Sequence, residues 1–283
     1  MKQILNLFKL RIGVAIAFAA AAGLAVQGGP GPGIYRALVL ILAVLVASAA
    51  AGAFNQYVER DLDARMQRTR GRPFVTGALR HGPAWLWLIG AMLAASVLAA
   101  AAAANVAAAL HVFLGAFTYG VVYTVWLKRR TWWNIVVGGL AGSFAVLAGA
   151  AAVNPAPGPE ALALAVVLFL WTPPHFWSLA IACRSDYAAA GVPMLPVVVG
   201  DARAARAILA GAVLLVAASL LPAAFGLGWA YFGLAAAGGL FFIFKCAALV
   251  RHPGRETARA AFLASLVQLG AVLSGAMLDA ALS

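Results

Sequence analysis

Long runs of apolar residues dominate this 283-residue sequence, each separated from the next by a short polar or glycine- and proline-rich segment. A helix that crosses a bilayer needs about 20 consecutive, mostly apolar residues. The runs that meet or approach this length lie near 12–27, 37–57, 83–104, 107–127, 132–153, 160–182, 204–224, 227–249 and 258–280. The first is short, and only Asn105 separates the third from the fourth. The sequence therefore predicts an all-α, polytopic membrane helix bundle with about nine transmembrane helices.

Composition excludes the soluble classes. Apolar residues make up 65% of the chain and charged residues 10%, whereas soluble domains are about half apolar and a quarter charged. No soluble core of this length could hide so much apolar surface, so the bilayer must act as the solvent. Abundant alanine and glycine suit helices that pack closely in a membrane. The net charge of +12 alone would be compatible with nucleic-acid binding, but we expect no nucleic-acid partner for a membrane protein.

The distribution of positive charge predicts the orientation. With nine helices, 19 of the 20 lysines and arginines fall in or beside segments on one side, and only Arg36 falls on the other. Basic residues concentrate on the cytoplasmic side of membrane proteins. The N-terminus is therefore expected in the cytoplasm, in the cell (inner) membrane. The basic start resembles a signal peptide, but a Gly/Pro turn and a second span follow, which favours a retained first helix.

A polar stretch follows the second predicted helix directly. Asn55, Glu59 and Asp63 stand at i, i+4 and i+8, so a helix would place their oxygens along one stripe. Such oxygens suit Mg²⁺, which commonly takes one or two carboxylates together with water and phosphate oxygens. Arg68 and Arg72 could hold phosphate through paired hydrogen bonds. The pattern indicates a site for a metal–diphosphate complex; the alternative is a solvated, salt-bridged loop, which most charge runs are.

A second unusual stretch lies inside the sixth predicted helix. Pro173 and Pro174 remove two consecutive backbone donors, which predicts a break in the helix. A break at membrane depth is tolerated where protein or water restores the hydrogen bonds, commonly beside a cavity. His175, between aromatic residues that include Trp177, could bind a metal or contact a planar ligand. The alternative for His175 is a hydrogen-bonded packing residue.

Further polar residues lie at helix ends on the same side. Arg184, Asp186 and Tyr187 follow the sixth predicted helix, and Lys128 follows the fourth. Lys128 is either a topology anchor or a group that neutralises a bound anion. His111, inside the fourth predicted helix, has no clear role from the sequence.

These stretches carry a family resemblance. Residues 55–73, 128–142, 171–177 and 186–196 resemble the protoheme IX farnesyltransferases (haem O synthases), a branch of the UbiA superfamily of intramembrane prenyltransferases. The resemblance implies a single prenyltransferase domain over residues 1–283, with a central cavity open to the cytoplasmic side and to lipid. It also implies a reaction in which farnesyl diphosphate, protohaem IX and water give haem O and diphosphate, with Mg²⁺ as cofactor.

The resemblance also implies roles for individual residues. Asn55, Glu59 and Asp63 would be catalytic and would hold Mg²⁺, with Asp61 and Asp186 as further candidate ligands. The residues expected to bind the diphosphate or the haem are His175, Arg68, Arg72, Lys128, Arg184, Trp177 and Tyr187. Haem is expected beside the sixth helix, with His175 near its iron or a propionate.

Four positions depart from the superfamily pattern. Gln56 stands where the first motif usually has an aspartate, and Glu59 replaces a second aspartate while keeping a carboxylate. The second aspartate motif falls on Cys183 and Tyr187, and neither side chain can replace a carboxylate. Asp186 is the only nearby acidic residue that remains as a candidate ligand.

Two other functions compete with this prediction. Another UbiA-type enzyme could prenylate an aromatic acid or a quinone precursor, although intact aspartate motifs would be expected there. A transporter should show broken helices in both halves and charges at mid-membrane, whereas the sequence predicts one break. The expected partners are farnesyl diphosphate, protohaem IX and membrane lipid, with haem A synthase or cytochrome oxidase assembly as candidate protein partners.

Overall fold

The computed structural model describes residues 2–282, and every regular element in that range is a helix. The long helices are Leu10–Val26 (α1), Ile34–Val58 (α2), Ala84–Ala103 (α3), Val106–Leu127 (α4), Asn134–Val153 (α5), Pro159–Ala182 (α6), Asp201–Ala224 (α7), Trp229–Arg251 (α8) and Arg255–Leu282 (α9). Within the described residues, eight helices, α2 to α9, are long and apolar enough to cross a membrane. The shorter apolar helix α1 has 17 residues, near the lower limit for a span. The predicted polytopic helix bundle is confirmed.

Short helices gather at one end of the bundle, where α2 and α6 finish, and we call this end the motif end. They are Lys2–Leu7, Arg60–Arg65, Pro73–Thr76, Arg184–Ala189 and Leu195–Val199. The opposite end, called the far end, holds the turns after α1, α3, α5 and α7. Because α2 and α6 are followed by the longer polar connections, the stretches singled out in the sequence meet at the motif end.

Packing between α1 and α5 closes the first half of the bundle, and packing between α6 and α9 closes the second. The contact between α1 and α5 depends on two glycines. A Cβ on Gly23 would overlap the carbonyl oxygen of Val146, and one on Gly149 would overlap that of Ala20. Glycine lets two membrane helices approach backbone to backbone. The two helices therefore touch along this stretch and leave no space between them.

The turn between α3 and α4 is as short as the sequence indicates. The Asn105 side chain accepts a hydrogen bond of 2.9 Å from the backbone N–H of Ala108 and caps α4. Its amide nitrogen also donates to the carbonyl oxygen of Ala151 on α5, at 2.7 Å. A single asparagine thus ends one span, begins the next and ties both to a third helix.

The predicted break in the sixth helix is wrong. α6 runs without interruption from Pro159 to Ala182, with Pro173 and Pro174 inside it. Proline at 173 leaves the carbonyl oxygen of Phe169 without its usual helical donor, but neighbouring helices pack tightly here. A Cβ on Gly139 of α5 would lie only 3.1 Å from that oxygen. We attribute the continuity of α6 to this packing, which holds the helical path despite two lost hydrogen bonds.

An irregularity that the sequence did not reveal lies in α4. Its last ten residues, Thr118–Leu127, form a π-helix, and such wide turns occur frequently at functional sites. Within it, the Thr124 hydroxyl donates to the carbonyl oxygen of Tyr119 at 2.8 Å. The wide turns bring Tyr119 and Thr124 within hydrogen-bond reach of side chains from α2 and from the start of α1.

Candidate active site

Three buried polar side chains mark the point where α2 ends at the motif end. Asn55, Glu59 and Asp63 are 2%, 1% and 2% exposed, respectively. α2 stops at Val58, Glu59 forms its C-terminal cap, and the short helix Arg60–Arg65 carries Asp63. The stripe expected from the i, i+4, i+8 spacing therefore continues across a helix end, and it faces the interior of the protein.

Each of the two buried carboxylates has a cationic partner. Lys128 Nζ donates to Glu59 Oε2 at 2.6 Å, and Arg72 Nη1 donates to both Asp63 carboxylate oxygens at 2.6 and 2.8 Å. Burial nonetheless raises the pKa of Asp63, and the charge and hydrogen bond of Arg72 oppose that rise. The other Glu59 oxygen, Oε1, is buried with no hydrogen-bond partner. The pairs neutralise two buried charges and leave one acceptor open.

A lysine at the start of α1 completes this cluster. Lys9 Nζ donates to Asn55 Oδ1 at 2.5 Å and to the Tyr119 hydroxyl at 3.0 Å. Asn55 Nδ2 in turn donates to Thr124 Oγ1 at 3.0 Å. Burial, followed by the positive charge of Arg72, lowers the pKa of Lys9 to about 7. Asn55 is thus held from both sides, with a partly buried amine directly beside it.

Lys9 is a site residue that the sequence did not predict. The structure gives Lys9 a left-handed backbone conformation with φ of 47°, and it is the only non-glycine residue with positive φ within residues 2–282. Side chains other than glycine rarely adopt this conformation, and strain of this kind clusters at functional sites. The one sequence signal was a lysine at the boundary of an apolar run. The preference of basic residues for the cytoplasmic side already accounts for such a lysine, so it did not indicate a site.

An apolar pocket begins at this cluster and runs towards the far end between α1, α2, α4 and α5. Lys9, Gly52 and Tyr119 line it at the motif end, and Val44 and His111 line it deeper in the bundle. Apart from a few polar groups, its walls are alanine, glycine and aliphatic side chains. The arrangement suits a molecule with a charged head and a long apolar tail.

The remaining carboxylates predicted as ligands lie outside this cluster. Asp61 forms an exposed ion pair with Arg129, with two oxygen–nitrogen distances of 2.8 Å, and this pairing lowers the pKa of Asp61. Asp186 accepts hydrogen bonds of 3.2 Å from the backbone N–H groups of Gln67 and Arg68. Within residues 2–282, no three His, Cys, Asp or Glu side chains converge as a metal site would require. The cluster brings together two carboxylates and an amide.

The predicted phosphate-binding residues separate into two groups. Arg72 and Lys128 reach the cluster through Asp63 and Glu59. Arg68 is exposed, and Arg184 lies 3.5 Å from Asp201 in a loose exposed pair. The structure therefore brings two of the four predicted cations to the buried carboxylates.

Gln56, the first departure from the superfamily motif, has a different role. Its side-chain nitrogen donates to the carbonyl oxygens of Asn6 and Leu7, at 2.7 and 3.2 Å. It thereby ties the short helix Lys2–Leu7 to the end of α2. The position next to Asn55 stabilises the N-terminal segment that precedes Lys9.

His175 lies outside the cluster and faces α9. Its ring stacks between Trp171 and Phe262, with centroid distances of 3.9 and 4.4 Å. His175 Nδ1 lies 2.6 Å from Ser265 Oγ, and that hydroxyl donates its hydrogen to the carbonyl oxygen of Phe262. Because serine has one hydrogen to give, the tautomer that satisfies both contacts carries its proton on His175 Nδ1 and donates it to Ser265. The neutral ring then has its lone pair on Nε2.

The two aromatic residues predicted to bind ligand are both buried. Trp177 lies two positions beyond His175 on α6, so it projects to the opposite side of the helix. It packs near Trp132, with ring centroids 6.1 Å apart, and its indole nitrogen is buried without a partner. Tyr187, in the helix Arg184–Ala189, is 6% exposed. His175 and Trp177 therefore border different spaces.

Comparison with known proteins adds evolutionary evidence to this geometry. Residues 15–267 match the model of the UbiA prenyltransferase family. Protoheme IX farnesyltransferase 2 of Paramagnetospirillum magneticum is 57% identical over 99% of this chain and 97% of its own length. Protoheme IX farnesyltransferase 1 of the same organism is 52% identical over 78% of each chain. Protoheme IX farnesyltransferase of Gluconacetobacter diazotrophicus is 41% identical over 82% of this chain and 77% of its own.

Solved structures share the fold. A UbiA homologue from Archaeoglobus fulgidus, bound to DMAPP and Mg²⁺, superposes with a TM-score of 0.77 at 19% identity, over 95% of this chain and 99% of that one. The apo structure of a UbiA homologue from Aeropyrum pernix K1 gives a TM-score of 0.75 at 21% identity, over 95% and 98%. The helix bundle, the family match and the near full-length relative agree, and this multi-pass membrane protein belongs to the UbiA prenyltransferase family.

Proposed function

We propose that this protein transfers the farnesyl group of farnesyl diphosphate to a vinyl group of protohaem IX, with addition of water, to give haem O and diphosphate. The observation that carries the proposal is the 57% identity, over 99% of the chain, to a protoheme IX farnesyltransferase. The buried carboxylates and cations at the mouth of an apolar pocket support the same chemistry. Residues 1–283 act as one prenyltransferase domain.

The prenyl donor fits the pocket between α1, α2, α4 and α5. The apolar chain lies along the alanine and aliphatic walls, and the diphosphate lies at the motif end beside Lys9, Arg72 and Lys128. In the structure, Arg72 and Lys128 neutralise Asp63 and Glu59. When a diphosphate binds, the same two cations are positioned to donate to its oxygens, since charge-assisted hydrogen bonds to phosphate are strong.

The donor set at the cluster fits Mg²⁺. Asn55, Glu59 and Asp63 supply an amide and two carboxylates, and the open, buried oxygen of Glu59 is an acceptor without a partner. Magnesium commonly uses one or two carboxylates and completes its shell with water and phosphate. When bound, Mg²⁺ would stabilise the negative charge that develops on the departing diphosphate. Asp61 and Asp186 are engaged elsewhere and are not needed for this set.

Residues of this chain direct the bond cleavage. As the bond between the farnesyl carbon and the diphosphate oxygen breaks, Arg72, Lys128 and Lys9 stabilise the leaving group by electrostatic interaction in a largely dry site. The apolar pocket keeps water from the allylic cation character on the farnesyl carbon. The vinyl group of protohaem attacks that carbon, and a water molecule adds to the resulting porphyrin-side cation and loses a proton.

For the acceptor, we propose that haem lies beside α6 with His175 as its iron or propionate contact. Trp177, on the opposite side of α6, and Tyr187 would contribute to substrate binding at the motif end instead. The hydrogen bond to Ser265 supports an iron ligand, because a metal-binding histidine usually donates its other ring nitrogen to a fixed partner. This leaves Nε2 as the free acceptor. Replacing His175 by Ala should weaken haem binding and leave farnesyl diphosphate binding intact, whereas unchanged haem binding would assign His175 to packing.

The decisive experiment is a direct turnover assay. Purified protein is incubated with protohaem IX, farnesyl diphosphate and Mg²⁺, and the extracted haem is examined by mass spectrometry. We expect a product that carries the hydroxyethylfarnesyl group, and no such product when Mg²⁺ is chelated or the diphosphate is omitted. Prenylation of an aromatic acid under the same conditions, without haem product, would instead establish the alternative UbiA-type function. The predicted break in α6 was the one sequence feature that favoured a transporter, and α6 is continuous.

The orientation and partners are part of the proposal. The charge distribution supports a cytoplasmic motif end and a cytoplasmic N-terminus in the cell (inner) membrane. Reporter fusions in the turn at residues 154–158 and in the loop at residues 76–82 test this, because the two should lie on opposite sides. Haem A synthase or a cytochrome oxidase assembly factor would receive the apolar product, and co-purification from native membranes tests that contact.

A further inference from the structure

The apolar pocket has a definite depth. It is lined at the motif end by Gly52 and Tyr119, and at its deepest level by Val44, His111 and Ala148. The helical rise places Val44 about 12 Å below Gly52 on α2, and His111 about 12 Å below Tyr119 on α4. Two independent helices therefore give the same length for the pocket.

Backbone contact closes one route beyond this depth. α1 and α5 touch where Gly23 meets Val146 and where Gly149 meets Ala20, without room for a single Cβ. A chain in the pocket cannot continue between these two helices. His111 stands on α4, another wall of the pocket, at the deepest level.

His111 is an unusual residue for this place. Its ring stacks on Phe144 of α5 with a centroid distance of 5.9 Å, and its Nδ1 atom is buried with no hydrogen-bond partner. A polar atom buried without a partner costs free energy, and ionisable residues inside a membrane are usually functional. A longer chain would have to displace this ring and move its unpaired nitrogen further into apolar surroundings.

We propose that His111 sets the length of the prenyl donor by forming the end wall of the pocket. An extended chain advances roughly 1.2 Å per bond, so a farnesyl chain measures about 13 Å and a geranylgeranyl chain about 18 Å. The first matches the pocket depth, and the second exceeds it by about one isoprene unit. This inference rests on the proposed function, since it assigns the basis of donor selection at the same site.

The test compares donors of two lengths with wild-type protein and H111A. The ratio of kcat/KM for geranylgeranyl diphosphate to that for farnesyl diphosphate is measured with protohaem as acceptor. We expect H111A to raise this ratio at least tenfold, because one misfit methylene in an apolar pocket already changes rates by about 10- to 200-fold. H111F fills the same space without polarity, and it should keep the preference for farnesyl diphosphate.

Ile12 provides a matched control, because it lines the pocket near its mouth. I12A widens the pocket there and should lower kcat/KM for both donors with no change in their ratio. Should H111A fail to give monodisperse protein, H111S carries the same test. An unchanged donor ratio in an active H111A or H111S enzyme would overturn the role of His111. A wild-type protein that prenylates haem with neither donor would instead overturn the proposed function.

Discussion

The segments that follow α2 and α6 both carry charged residues to the motif end, and they use them differently. After α2, Glu59 and Asp63 are buried, and each pairs with a cation at 2.6 Å. After α6, Asp186 accepts two backbone hydrogen bonds, and Asp201 lies in an exposed pair 3.5 Å from Arg184. The first segment contains buried charged groups that are available to bind a ligand. The second segment stabilises the backbone of the first.

This difference explains how the site tolerates a degenerate second motif. Cys183 and Tyr187 stand where the superfamily pattern has two aspartates. The carboxylate of Asp186 instead fixes the backbone at Gln67 and Arg68, in the loop that leads to Arg72. Buried carboxylates interact with cations far more strongly than exposed ones. Replacing a buried carboxylate in the first segment should therefore reduce turnover much more than replacing a carboxylate in the second.

Asp63→Ala should have the largest effect. It removes one of two proposed carboxylate ligands and leaves Arg72 unpaired, so we expect turnover to fall by about 10³-fold or more. The protein should still insert into the membrane and elute as a monodisperse species. Haem O formation and size-exclusion profiles measure the two outcomes. Undiminished turnover would remove Asp63 from the metal site.

Lys128→Met should reduce turnover by about 10²-fold, because it removes a cation that stabilises the leaving group. It should also destabilise the protein by about 3–5 kcal/mol, because Glu59 remains as a buried, unpaired charge. The double variant Glu59→Gln/Lys128→Met should recover most of this stability in thermal unfolding. Its activity should stay low, and a recovery of both properties would show that the pair is structural only.

Asp186→Ala should lower kcat/KM by about tenfold. The loop at residues 66–72 loses two hydrogen bonds, each contributing about 1 kcal/mol, so the effect should lie mainly in KM for farnesyl diphosphate. The Mg²⁺ concentration for half-maximal activity should not change, because the carboxylate holds the loop rather than the ion. A tenfold increase in that Mg²⁺ concentration would instead identify Asp186 as a ligand.

Asp61→Asn should have the smallest effect, within about twofold of wild-type turnover. Its partner Arg129 is exposed, and exposed ion pairs contribute little to stability. This variant is the matched control for Asp63→Ala, since both remove a carboxylate from the same short helix, Arg60–Arg65. A loss of turnover comparable to that of Asp63→Ala would show that burial does not determine which of the two aspartates is needed for activity.

The sequence by itself determined the membrane architecture and the position of the first motif. Bilayer thickness imposes a minimum length on every apolar run, so the spans and the turn at Asn105 could be located without a structure. The spacing of Asn55, Glu59 and Asp63 predicted one stripe because helical periodicity is a local property. The same local reasoning gave a wrong prediction at Pro173 and Pro174, since the packing that keeps α6 continuous involves residues distant in sequence.

Only the tertiary structure decided which side chains meet. Lys9 reaches Asn55 across 46 residues of sequence, and Lys128 reaches Glu59 across 69. His175 pairs with Ser265 across 90 residues, on the side of α6 that packs against α9. No periodic pattern encodes these pairings, because they follow from the way α1 to α9 pack around one another. A bilayer selects apolar residues for every span alike, and helix packing alone selects which few polar groups share a buried site.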